Sequence, residues 1–185
     1  LLRLLTPVAK LYTAKQSIKY ASEHIEMFGG IGYLEDSGIP SMLRDTQVLS
    51  IWEGTTNVLS LDMLRAAEKE NGLVAFKEYA EKLLAGIDIS ELAEQKEMVR
   101  QKINVLFKFI RKHGIQNAMI AVSRDIAFYL AELTIALLWL DFLKTNSVKS
   151  NYLNTLNYWL IYKMNELSLN SAEVLELTER EKATA

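Results

Sequence analysis

Ile126–Leu143 reads IAFYLAELTIALLWLDFL, and this stretch decides the fold class. Extended to its left, the apolar residues Ile115, Met119, Val122, Ile126, Leu130, Leu133, Leu137 and Leu140 recur every three or four positions. That is the period of one helix face, and sustained over this length it predicts the seam of a helical bundle. Tyr129, Trp139 and Phe142 widen the seam, so the helix is expected to be buried on more than one side. Glu132 interrupts the stretch and Asp141 stands near its end, leaving the eight residues Leu133–Leu140 as its longest charge-free run. That run is well short of the ~20 residues needed to cross a bilayer, so a core helix is expected and no transmembrane segment.

Working outward, the chain from about Ala66 onward holds no proline and only Gly72, Gly86 and Gly114. Helices are predicted over 72–85, 89–112, 115–144, 149–165 and 170–182, divided by Gly86, Gly114 and Thr145-Asn146-Ser147. The fold class is all-α, an antiparallel helical bundle. The whole chain of 185 residues is half hydrophobic and 24% charged, enough to bury a substantial core. Its formal net charge of −2 argues against a globally basic nucleic-acid binder. The absence of cysteine removes disulfides and thiolate metal sites, and it fits a reducing, cytoplasmic compartment.

The first third is organised differently. Gly29, Gly30, Gly32, Gly38, Gly54 and Pro40 crowd into it. A first helix is expected to restart at Thr6-Pro7, an N-cap followed by proline, and to run to Phe28. Val8, Leu11, Ile18, Ala21, Ile25 and Phe28 supply its apolar positions. A short helical piece follows the glycines. A further helix is expected after Gly54, with Val58, Leu61 and Leu64 on one face and Leu59 and Met63 beside them. The chain opens inside what reads as a helix, without a signal peptide, and is expected to be a piece of a longer protein.

Two places are candidates for chemistry. Gly29-Gly30-Ile31-Gly32 is not GxGxxG and follows no strand, so it reads as a helix C-cap and turn rather than a dinucleotide loop. In Ile51-Trp52-Glu53-Gly54-Thr55-Thr56-Asn57 one carboxylate lies between bulky apolar residues and a helix start. An apolar setting raises a carboxyl pKa and suits a general base, whereas a helix-start acid interacting with the dipole is the plainer reading. His24 and His113 are too far apart in sequence for an HExxH-type site, and no GxSxG nucleophile is present.

Gly29-Gly30-Ile31-Gly32-Tyr33, then Arg44-Asp45, then Ile51-Trp52-Glu53-Gly54-Thr55 resemble the C-terminal signature of the flavin-dependent acyl-CoA dehydrogenases. The family pattern is Q-x-x-G-G-x-G-[YF], an R-D pair and I-[YW]-E-G-T. Thr6-Pro7-Val8-Ala9-Lys10 and Leu61-Asp62-Met63-Leu64-Arg65 look closest to the branch that contains the alkylation-response protein. The resemblance covers residues 1–67, the last part of the family's C-terminal helical domain. Residues 68–185 then form a helical extension, and the N-terminal helical and central β domains are absent.

The resemblance implies a flavoprotein of fatty acid oxidation. Its whole enzyme oxidises an acyl-CoA thioester to trans-2-enoyl-CoA, and FAD takes a β-hydride. Glu53 falls on the glutamate that removes the α-proton. Thr55 and Asn57 fall on the T-x-Q positions that touch FAD, with asparagine replacing glutamine. Glu26 falls on the glutamine of Q-x-x-G-G, and Gly29 and Gly30 match; that segment approaches the FAD of a neighbouring subunit. A glutamate there adds negative charge near the pyrophosphate end. Arg44 and Asp45 read as structural. The family further implies an acyl-CoA substrate, an electron-transfer flavoprotein partner and a homo-oligomer, with the isolated piece inactive. The branch has also been linked to DNA binding. Lys96, Arg100, Lys102, Lys108, Arg111 and Lys112 stand against one acid, Glu97, in one stretch. A solvated helix face is the reading favoured there over a phosphate-binding patch.

Overall fold

The computed structural model describes residues 1–113, 120, 122–146 and 150–164, and among these every regular element is a helix. The order is α1 (Leu2–Met27), α2 (Gly30–Tyr33), a 3-10 turn at Glu35–Ser37, α3 (Ile39–Val48) and α4 (Thr56–Lys69). Then come α5 (Gly72–Ala85), a 3-10 turn at Ser90–Leu92, α6 (Ala93–His113), α7 (Ser123–Thr145) and α8 (Ser150–Tyr158). A wider π-type turn, Trp159–Lys163, closes α8, and the Met164 amide donates to the Trp159 carbonyl there.

Helix α7 is the centre of the bundle. It packs on α1 and α4 on one side and on α5, α6 and α8 on the others. Val122, Ile126, Leu130, Leu133, Leu137 and Leu140 are all buried, as the seam predicts, while Ile115 and Met119 lie outside the described residues. Tyr129, Ala127, Ala131, Ala136 and Leu143 are buried as well, which explains why the helix is apolar almost all round. Its best 18-residue window reaches a mean hydropathy of 1.8, so by length and composition it is long enough to cross a membrane. In this fold, however, 61% of that window is buried against the other helices. Phe142 departs from expectation: it is 47% exposed and rests edge-on against Tyr152. The helix is bounded by Ser123 and Thr145, with Val122 (φ −107, ψ 9) as its N-cap, while most of the predicted stretch before it, 115–119 and 121, lies outside the described residues. The expected helix 170–182 lies outside the described residues.

Glu132, in the middle of α7, is buried. Half-buried Lys102 lies within its electrostatic reach; burial lowers the Lys102 pKa and the negative charge of Glu132 partly restores it. Tyr129, which donates to the Lys102 carbonyl at 3.1 Å, is pushed up to about 12 by burial and then by Glu132. Burial and Glu132 also raise Tyr12 on α1. A charged residue in an apolar helix is thus set among polar groups rather than hydrocarbon alone.

Three further expectations are corrected. The first helix does not restart at Thr6-Pro7: it begins at Leu2, with Pro7 inside and buried. Thr6 Oγ1 donates back to the Leu2 carbonyl at 2.8 Å instead of capping. Past the first turn, Pro7 forfeits one backbone bond and its ring crowds the carbonyl of Arg3, four residues earlier. On α4, Val58 and Leu61 are exposed, and the buried face is Thr56, Ser60, Met63, Leu64, Ala66 and Ala67. Ser60 can be buried because its hydroxyl is satisfied by the Thr56 carbonyl at 2.8 Å. On α1, Phe28 is exposed, and Ile18, Ala21 and Ile25 are only half-buried.

A bidentate ion pair joins α1 to α4: Arg3 Nη1 and Nη2 each donate to an Asp62 oxygen at 2.6 Å. The hydrogen bonds from Arg3 hold the Asp62 carboxyl below its ordinary value of 3.8, against a smaller opposing effect of burial. A carboxylate with a depressed native pKa adds stability that is present above the unfolded value and lost as pH falls through the native one. Asp62→Asn is therefore expected to lower stability near neutral pH, with the gap to the natural protein closing below about pH 3.8. Denaturant melts across that range check it.

Candidate active site

The turn between α3 and α4 is built by two backbone reversals. Glu53 has φ 61 and Gly54 φ 118. The first is uncommon outside glycine and marks a constrained position. The second is a region that only glycine enters readily. A Cβ at Gly54 would also stand 3.1 Å from Leu59 Cδ2. Thr55 is then extended (φ −68, ψ 163) and caps α4 with its backbone, its carbonyl accepting the Leu59 amide at 2.9 Å. The Thr55 and Asn57 side chains are exposed at this helix start. Glu53 thus precedes the N-cap by two residues and stands outside the helix.

Glu53 lines a cavity of about 340 Å³ between α1 and the end of α3. The α1 wall is Lys10, Thr13, Ala14 and Ser17, and the opposite wall is Val48, Leu49 and Trp52. The apolar enclosure anticipated for the carboxylate is not made by the described residues: Glu53 is exposed, with Ile51 66% and Trp52 69% exposed beside it. Lys10 is the residue of this site that sequence reasoning missed. It reaches the turn from a position 39 residues earlier, and no local pattern reports such a contact.

Glu26, Gly29 and Gly30 are not brought to this cavity. They lie at the far end of α1 and in the corner to α2, about 14 Å along the axis from Ser17 at 1.5 Å per residue. All three are exposed, and a Cβ on Gly29 or Gly30 would meet nothing within 4 Å. Gly32 is different: its Cβ would stand 2.2 Å from the Ile25 carbonyl oxygen, so this glycine is what lets α2 fold back on α1. Exposed Met27, Phe28, Ile31, Tyr33 and Leu34 surround the corner. Arg44 is structural within this chain, as expected. It makes two 2.9 Å bonds to Glu35, tying α3 to the preceding turn, and these hold Glu35 below the usual carboxylate range.

The basic stretch on α6 is not a free stripe. Lys96 donates to the Ile87 carbonyl at 2.7 Å, Arg100 pairs with Glu97 at 2.8 Å, and Lys102 is half-buried near Glu132. Lys108, Arg111 and Lys112 are left on its later turns.

Residues 3–68 match the family described as acyl-CoA dehydrogenase, C-terminal domain. The chain is 46% identical over 156 residues to acyl-CoA dehydrogenase family member 11 of Caenorhabditis elegans, covering 80% of this chain and 25% of that one. It is 44% identical over 71 residues to putative acyl-CoA dehydrogenase AidB of Escherichia coli, covering 38% and 13%. A solved structure, the apo form of Bd2924, superposes with a TM-score of 0.60 at 44% identity, over 77% of this chain and 25% of that one. The chain thus spans about a quarter or less of the length of these relatives.

The close approach at Gly32 is directly testable. Gly32→Ala is expected to destabilise the chain by about 1–3 kcal/mol, because a carbonyl cannot yield as a flexible side chain can. Gly30→Ala, with open space above it, is the control, and a thermal melt of both variants checks the difference.

Proposed function

We propose, given that this chain belongs through residues 3–68 to the acyl-CoA dehydrogenase family, that the whole protein oxidises an acyl-CoA thioester to a trans-2-enoyl-CoA with Glu53 as the base. The observation that carries this is the backbone at Glu53. A non-glycine residue in the left-handed region, inside Ile51-Trp52-Glu53-Gly54-Thr55, lines the cavity between α1 and α3. Constrained conformations of this kind cluster where a side chain must be aimed.

The chain's residues suit FAD in part. Thr55 and Asn57 offer an exposed hydroxyl and amide at the start of α4, where unpaired helix amides favour an electron-rich partner. Gly29 and Gly30 leave open space for a close approach. Glu26 suits an anionic pyrophosphate poorly, since its carboxylate adds like charge. Bound FAD supplies a two-electron acceptor. Glu53 takes the α-proton, which is weakly acidic and needs a positioned carboxylate to remove it. The exposure of Trp52 and Ile51 implies that the dry walls around Glu53 come from other parts of the protein. The same reading makes an electron-transfer flavoprotein the acceptor of the electrons and a homo-oligomer the assembly. The cytoplasm is its compartment, in keeping with a chain that has no cysteine.

Glu53→Gln in the full-length protein keeps shape and removes the base. Reduction of bound flavin by acyl-CoA is expected to slow by ~10²–10⁴-fold. Unchanged reduction would assign proton removal elsewhere. This 185-residue piece alone is expected to lose FAD on extensive dialysis, because it holds only two short segments that face the cofactor. Retained flavin absorbance would overturn that.

A further inference from the structure

The carbonyls at the end of α3 are filled in order. The Leu49 amide donates to Thr46 at 3.1 Å, Ser50 to Gln47 at 3.2 Å, and Ile51 and Trp52 both to Val48 at 2.9 and 2.8 Å. The next carbonyl is that of Leu49, and a continuing helix would fill it with the amide of Glu53, four residues on. Glu53 instead takes φ 61, and the chain leaves the helix there. The Leu49 carbonyl receives Lys10 Nζ of α1 at 2.5 Å.

Lys10 therefore holds the bond that would rewind α3 through Glu53. Its cation also lies at the negative end of the α3 dipole. The hydroxyl-bearing side chains of that wall are committed to their own helix: Thr13 Oγ1 donates to the Ala9 carbonyl and Ser17 Oγ to the Thr13 carbonyl. Lys10 is the polar side chain of the α1 wall that crosses to α3.

We propose that Lys10 is a positioning residue for Glu53: by bonding the Leu49 carbonyl it ties the end of α3 to α1 and so fixes the left-handed turn that sets Glu53 at the cavity. The inference rests on the reading of Glu53 as the base. Without the clamp, the end of α3 is no longer tied to α1, the turn at Glu53 loosens, and the carboxylate loses its fixed position. A misplacement of about 1 Å costs on the order of 10²-fold in rate. The loss should appear chiefly in kcat, because the base is misplaced.

The test uses the full-length flavoprotein carrying Lys10→Met, which keeps the apolar stem and removes the donor, and Lys10→Arg, which keeps donor and charge. In Lys10→Met, amide exchange over residues 49–54 should change by tenfold or more relative to α5. Flavin reduction per bound FAD should fall by about 10²-fold with KM within threefold. Lys10→Arg should restore both. Lys10→Met with natural exchange and natural kcat overturns the proposal, as does a loss confined to KM or to flavin content. If Lys10→Met does not fold, Lys10→Gln, whose amide is too short to reach Leu49, is read the same way; if both unfold, Lys10 serves the fold alone and the proposal fails. Glu53→Gln measured alongside separates the two readings. If it reduces flavin normally, the base assignment fails, while the exchange result still reports on the clamp.

Discussion

A helix that is apolar on nearly every side is stable in water only where each side is covered, and α7 is such a helix. Leu130, Leu133, Leu137 and Leu140 are fully buried, and they share one continuous core with Leu4, Val8 and Leu11 of α1 and Met63 of α4. Burying a leucine completely contributes roughly 1.5–3 kcal/mol, so this seam outweighs the surface ion pairs around it. The family match ends at residue 68, but the core does not divide there. Tyr12 of α1 and Phe128 of α7 meet edge to face with centroids 5.8 Å apart. The later helices thereby brace the helix that carries Lys10.

That bracing is what gives the site its geometry. α1 acts as a ruler: its first half carries the cavity wall opposite Glu53, and its last turn carries Glu26 and leads into the glycine corner. The two segments that the family resemblance links to FAD are thus held apart by a rigid rod. The apolar residues exposed at both places, Ile51 and Trp52 at one and Phe28, Ile31 and Tyr33 at the other, form surfaces of the kind that mark interfaces.

Much of the fold was legible because helical burial leaves a local period. The helix over 72–85 and the α7 seam follow from apolar spacing and from Gly72 and Gly86 at the boundaries. Spacing misled where a small polar residue was the buried one. Ser60 lies in the core because its hydroxyl is satisfied within its own helix, while the more apolar Val58 and Leu61 face out. Thr6-Pro7 carries the local marks of a helix start, yet Leu1 and Leu2 extend the helix upstream, with the Leu1 carbonyl accepting the amides of Leu4 and Leu5 at 3.0 Å.

What the sequence by itself determined was the all-α class, the helix order and the motif that singles out Glu53, because these depend on residues within a few turns of one another. Tertiary structure alone decided which face of α4 is buried, that Trp52 and Ile51 do not enclose Glu53, and that Lys10 reaches the Leu49 carbonyl. Those outcomes depend on where one helix lies against another. A hydrogen bond spanning 39 residues leaves no periodic trace in the chain, because its partners become neighbours only after α1 and α3 have packed.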